Sequence, residues 1–140
     1  MTHSTPPTRY GFGAMLAGPL DDAVERTKEA LQGEGFGVLT TIDVRETMKQ
    51  KLGVEIEPYV ILGACNPHLA YRGLQAEPEF GLLLPCNVTL RERPGGVEVM
   101  AVDPGLMLGV VGANPELAAV AAEAAARLQR VIAALGGQTP

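Results

Sequence analysis

Apolar and polar positions first alternate between Tyr10 and Leu16. Tyr10, Phe12, Ala14 and Leu16 fall on one face, and Gly11, Gly13 and Met15 on the other. That period of two predicts a half-buried strand. From Leu20 the period lengthens: Leu20, Ala23, Val24, Thr27, Ala30 and Leu31 recur at the spacing of one helix face. Pro19 opens this helix, Asp21 and Asp22 sit in its first turn where the dipole favours negative charge, and Gly33 and Gly35 end it. Phe36, Val38, Thr40 and Ile42 restore the alternation and predict a second strand with all four on one face.

Asp43-Val44-Arg45-Glu46 has capping-box spacing, and Val44, Met48 and Leu52 make a short apolar stripe stopped by Gly53. Residues from Glu57 to Ala64 are apolar on both faces, which predicts a central strand or one at a dimer contact. Asn66-Pro67 supplies a cap and a first-turn proline for a helix through about Gln75, with Gly73 as its weak point. After the interruption at Pro78, Leu84, Cys86, Val88 and Leu90 share one strand face. Pro94-Gly95-Gly96 then turns the chain into Val97, Val99 and Ala101, a predicted antiparallel hairpin that Asp103-Pro104-Gly105 closes. Asn114-Pro115-Glu116 starts the longest helix, with Leu117, Val120, Ala121, Ala124, Leu128, Val131 and Leu135 inward, Glu123 and Arg127 paired outside, and Gly136 as the stop.

This order predicts an α+β fold, with helices packed on one face of a mainly antiparallel sheet. It occupies a single domain over residues 10–136, preceded by a flexible tail over residues 1–9. The competing doubly wound parallel sheet lacks its phosphate loop, since Gly11-Phe12-Gly13 is followed by Ala14-Met15-Leu16.

Composition narrows the function classes. A chain of 140 residues with 46% apolar types is long enough to bury one core. Its 11 basic and 16 acidic residues give a net charge of −5 without any basic stripe, which argues against a nucleic-acid partner. No apolar run approaches the ~18–20 residues of a membrane span, and the stretch from Met1 to Arg9 lacks a signal peptide's apolar centre. Cytoplasmic residence is expected, with both cysteines as reduced thiols.

Candidate chemistry concentrates in Gly63-Ala64-Cys65-Asn66-Pro67-His68 and in Pro85-Cys86-Asn87-Val88. Cys65 falls where a strand meets a helix N-terminus, so backbone N–H groups are expected to lower its thiol pKa. His68 lies one turn into that helix, and Cys86 lies on a neighbouring strand. Cys65, Cys86 and His68 together make a soft donor set suited to zinc or copper, one ligand short of a closed structural zinc site. Cys65, Asn66, Cys86 and Asn87 are the wider candidate ligand-binding residues. The alternative stays open that both thiols are core residues, because Cys86 shares its face with Leu84, Val88 and Leu90. No G-x-S-x-G, H-E-x-x-H or P-loop occurs.

The run Ile61–Leu90, with Gly35–Val44 before it and Val99–Leu108 after it, resembles the uncharacterised family called domain of unknown function 302. Gly63-Ala64-Cys65-Asn66-Pro67 and Leu83-Leu84-Pro85-Cys86-Asn87-Val88, followed by the turn at Asp103-Pro104, carry the likeness. The resemblance covers roughly residues 10–135. It implies a TATA-box-binding-protein-like fold with a curved antiparallel sheet, and it implies a homodimer; no activity comes with it. Tyr59–Ala64 or Gly105–Val111 is the expected two-fold contact. Three functions follow as expectations: a small-ligand or soft-metal binding module at Cys65 and Cys86, a homodimeric interaction or structural protein without a ligand, or a thiol-dependent enzyme.

Overall fold

The computed structural model describes residues 8–107 and 114–136. Most of the expected tail, and residues 108–111 of one expected dimer segment, lie outside the described residues. The elements run β1 (Gly11–Leu16), α1 (Leu20–Gly33), β2 (Gly37–Asp43), α2 (Val44–Leu52), β3 (Tyr59–Cys65) and α3 (Pro67–Ala76). A 3-10 helix (Pro78–Leu83), β4 (Cys86–Arg93), β5 (Gly96–Val102), a second 3-10 turn (Pro104–Met107) and α4 (Pro115–Ala134) follow. The fold is α+β: one five-stranded sheet ordered β1-β5-β4-β3-β2, every neighbouring pair antiparallel. The parallel competitor is thereby excluded.

Alternation decides which side of the sheet is covered. Phe12, Ala14 and Leu16 of β1, Leu62 and Ala64 of β3, Cys86, Val88 and Leu90 of β4, and Val97, Val99 and Ala101 of β5 are all buried. They form one core with Ala23 and Leu31 of α1 and with Leu128, Val131 and Ile132 of α4. A second, smaller cluster joins Leu69 of α3, Phe80 of the 3-10 helix and Leu117, Val120 and Ala124 of α4. Helix α4 therefore serves two cores with successive parts of one stripe.

The expected hairpin forms, with Val88 opposite Ala101 and Leu90 opposite Val99. Gly95 makes its turn at a φ of 95°, a conformation that side chains with a Cβ disfavour. Two caps behave as their residue types require: Asn66 Oδ1 accepts from the Leu69 N–H at 3.2 Å, and Asn114 Oδ1 accepts from Glu116 and Leu117. Asp43 accepts from the Glu46 N–H at 2.9 Å, whereas the Glu46 carboxylate accepts from Gln50 rather than reaching back. Only half of the capping box is present.

The expectation that Phe36, Val38, Thr40 and Ile42 share one face is corrected. The register of β2 shifts between Val38 and Thr40, so Val38 sits opposite Ala64 but Thr40 opposite Gly63. One extra residue in a strand reverses the side on which every later side chain falls. Ile42 is in consequence 46% exposed. Tyr10 lies before β1 and is exposed, and the interruption at Pro78 is an ordered 3-10 helix. Among the described residues no helix is long and apolar enough to cross a membrane.

Burial sets a direct contrast between two apolar residues. Leu128→Ala, at a fully buried site, is expected to cost about 2–5 kcal/mol in urea unfolding. Ile42→Ala, beyond the bulge, is expected to stay within about 0.5 kcal/mol of the parent. Equal losses would show that the bulge does not set the facing of β2.

Candidate functional site

The site begins at the junction of β3 and α3. Strand β3 ends at Cys65, Asn66 caps the helix, and Pro67 occupies its first turn. Antiparallel register places Ala64 opposite Cys86, so the first residue of β4 lies beside the last residues of β3. These two strand ends, α3, the 3-10 helix and α4 line a partly open cavity of about 30 Å³. Cys65, Asn66 and Cys86 line it, together with Phe36, Ala64, Leu69, Ala70, Phe80, Leu83, Leu84, Pro104, Val120, Ala121 and Ala124.

The wall is almost wholly apolar. Asn66, the exception, is already committed: it caps Leu69 and its amide Nδ2 donates to the Glu34 carbonyl at 3.4 Å. Arg127 Nη1 donates to that same carbonyl at 3.1 Å, and Arg130 pairs with the Glu34 carboxylate at 3.0 Å. The turn after α1 is thus tied to α4 and to the cap of α3, which fixes one rim of the cavity.

Both thiols are free. Burial pushes the Cys65 thiol up from its ordinary value. This opposes the lowering expected at a helix N-terminus. Asn66 is the residue that accepts the terminal Leu69 N–H, and Cys65 stands one position outside the cap. The Cys86 thiol is pushed up to about 11, first by burial and then by the nearby Cys65. Burial thus favours the neutral form of both thiols, and more so for Cys86.

Two expected site residues lie elsewhere. His68 is exposed on α3, and among the described residues no three His, Cys, Asp or Glu side chains gather to hold a metal ion. The Cys65, Cys86 and His68 set for zinc or copper is not assembled, because the second position of α3 faces solvent. Asn87 is exposed and belongs to the opposite side of the sheet, where it lines a shallow groove with Tyr10, Tyr59, Thr89 and Met100. Successive strand residues point to opposite faces, so Cys86 and Asn87 cannot serve one inward site. The sequence reading missed the contributions of Phe36, Leu69, Phe80, Val120, Ala121 and Ala124. Their one signal, an apolar stripe, is shared with every core residue.

Residues 14–135 match the family model described as "Domain of unknown function DUF302". No curated protein matches. Among solved structures, the chain is similar to the "uncharacterized conserved protein DUF302 from Bacillus stearothermophilus". The two share 29% identity at a TM-score of 0.81, covering 91% of this chain and 98% of that one.

The thiolate is the reactive form of a cysteine, so a raised pKa makes alkylation climb with pH. Iodoacetamide is expected to modify the half-buried Cys65 ahead of Cys86. The Cys86 rate should keep rising about tenfold per pH unit until pH approaches 11. Peptide-resolved mass spectrometry over pH 7–10 (about three decades of thiolate fraction) checks this. A Cys86 rate that levels off near pH 8.5 or so would contradict the burial argument.

Proposed function

Since the chain belongs to the family described as domain of unknown function DUF302, whose description assigns no activity, we propose that it is a small-ligand binding module built around the Cys65/Cys86 cavity. One observation carries this reading: an apolar pocket, open to solvent on one side, lies where two strand ends, two helices and a 3-10 segment meet. Interiors pack densely and leave few such voids. With no charged side chain in the wall and Asn66 committed to the backbone, the site suits an uncharged, apolar molecule; a charged one would lose its hydration without compensation. The reading takes the thiols as reduced in the cytoplasm, where they serve as soft, polarisable parts of the wall.

Small uncharged hydrophobes such as benzene or indole, titrated into labelled protein, should shift the amide resonances of Ala64, Cys65, Leu69, Val120 and Ala124 together. Ala124→Val, which fills space in the wall, should weaken those shifts. Shifts scattered over the surface, or unaffected by Ala124→Val, would remove this reading.

A second reading, a homodimer, has its own support. Leu39, Leu52 and Val54 are exposed along the edge strand β2, helix α2 and the residues after it. Exposed large hydrophobes on one edge strand and its following helix suit an interaction surface, and a second copy is the simplest cover. Sedimentation at micromolar concentration is expected to show about twice the 14.7 kDa chain mass. The substitutions Leu39→Lys and Leu52→Lys should return it to the monomer; a 14.7 kDa species from the unmodified protein would end the dimer reading.

A further inference from the structure

Phe80 lines the cavity from the 3-10 helix and is 6% exposed. Its ring lies directly on Gly73 of α3: a Cβ at that position would stand 2.4 Å from two ring carbons. Glycine inside a helix costs about 1 kcal/mol relative to alanine. Here it makes room for an aromatic ring between α3 and the Leu117, Val120 and Ala124 face of α4.

The segment that carries this ring is weakly held. Between Glu77 and Pro85 it pairs with no strand, and its backbone bonds are local: Phe80 N–H to the Glu77 carbonyl at 2.9 Å, and Leu84 N–H to the Gly81 carbonyl at 3.3 Å. Among the described residues, neither Glu77 nor Glu79 makes a side-chain hydrogen bond or ion pair, and Leu82 is 83% exposed. Phe80 is its one fully buried residue, with Leu83 and Leu84 half-buried against the same cluster. Segments with few buried contacts open at a fraction of the global unfolding cost.

Size supplies the remaining constraint. An apolar void of about 150 Å³ accommodates benzene, whereas this cavity measures about 30 Å³ with Phe80 seated. No ring-sized molecule fits beside Phe80. We infer that Phe80 holds the place of the ligand: the 77–84 segment is a hinged cover, and the ligand is a single-ring or similarly sized uncharged hydrophobe that takes the ring's seat against Gly73. This inference rests on the cavity reading above and adds the ligand's size, its subsite and the moving part.

Toluene is the probe, and binding by calorimetry and Cys86 alkylation are the readouts. Wild-type protein must displace its own ring, so its affinity is lowered by the fraction of time the seat is open. Phe80→Ala leaves the seat free and is expected to bind toluene about tenfold or more tightly than wild type. Gly73→Ala puts a methyl group where the ring lies. It should raise Cys86 labelling about tenfold in native buffer by holding the cover open, with α3 itself favoured by the better helix former. Toluene should slow Cys86 labelling in Phe80→Ala. Equal toluene affinity in wild type and Phe80→Ala would overturn the seat while leaving the cavity reading intact. No toluene binding to either protein would overturn both. A folded Gly73→Ala protein that labels Cys86 at the wild-type rate would show that Phe80 does not cover this wall.

Discussion

The inner face of the antiparallel sheet has to be covered, and α4 is the element on which that covering depends. Buried residues from four strands present a continuous apolar surface there, while α1 supplies only Ala23, Leu31 and their half-buried neighbours to the same core. Without Leu128, Val131 and Ile132, that surface would face water at a cost of about 25 cal/mol per Å². The first turns of α4 lie beyond the main core, and Leu117, Val120 and Ala124 pack instead against α3 and the 3-10 helix. Two cores under one helix create a seam between them, and the cavity lies at that seam.

The seam is firm on one side and loose on the other. On the firm side, Glu34 receives Asn66, Arg127 and Arg130, so the α1–β2 turn, the α3 cap and α4 are linked through one residue. Arg72 extends the linkage by pairing with Glu116 and Glu123 across α3 and α4. These pairs are partly exposed and individually worth little, but they act where the backbone is already ordered. On the loose side, between Glu77 and Pro85, local backbone bonds and apolar contact hold the chain. That asymmetry localises any opening to the side that carries Phe80.

The opposite face of the sheet follows a different logic. It presents half-exposed residues such as Tyr59, Thr89 and Met100, with Arg91 bonded to Glu98 across the strands at 2.9 Å. Edge strand β2 and α2 bury no residue fully. Cys86 belongs to the covered side, where burial pushes its thiol up to about 11, and the solvent-facing Asn87 and His68 do not join it.

Local pattern was enough for the element order, the hairpin at Pro94-Gly95-Gly96 and the caps at Asn66 and Asn114. Each depends on residues a few positions apart, and backbone geometry converts that spacing directly into structure. The inward face of β4 was equally legible, because a period of two has one reading once one face is apolar. The bulge in β2 was not, since an inserted residue leaves the composition of the strand unchanged and shows only in its pairing with β3. Nor was the site. Sequence proximity put Asn87 beside Cys86 and His68 beside Cys65, but side-chain direction separates both pairs in space. Phe80 and Gly73 could each be read only as a core aromatic and a helix flaw. Their contact depends on how the chain returns over α3 after Pro78, which tertiary packing alone decides.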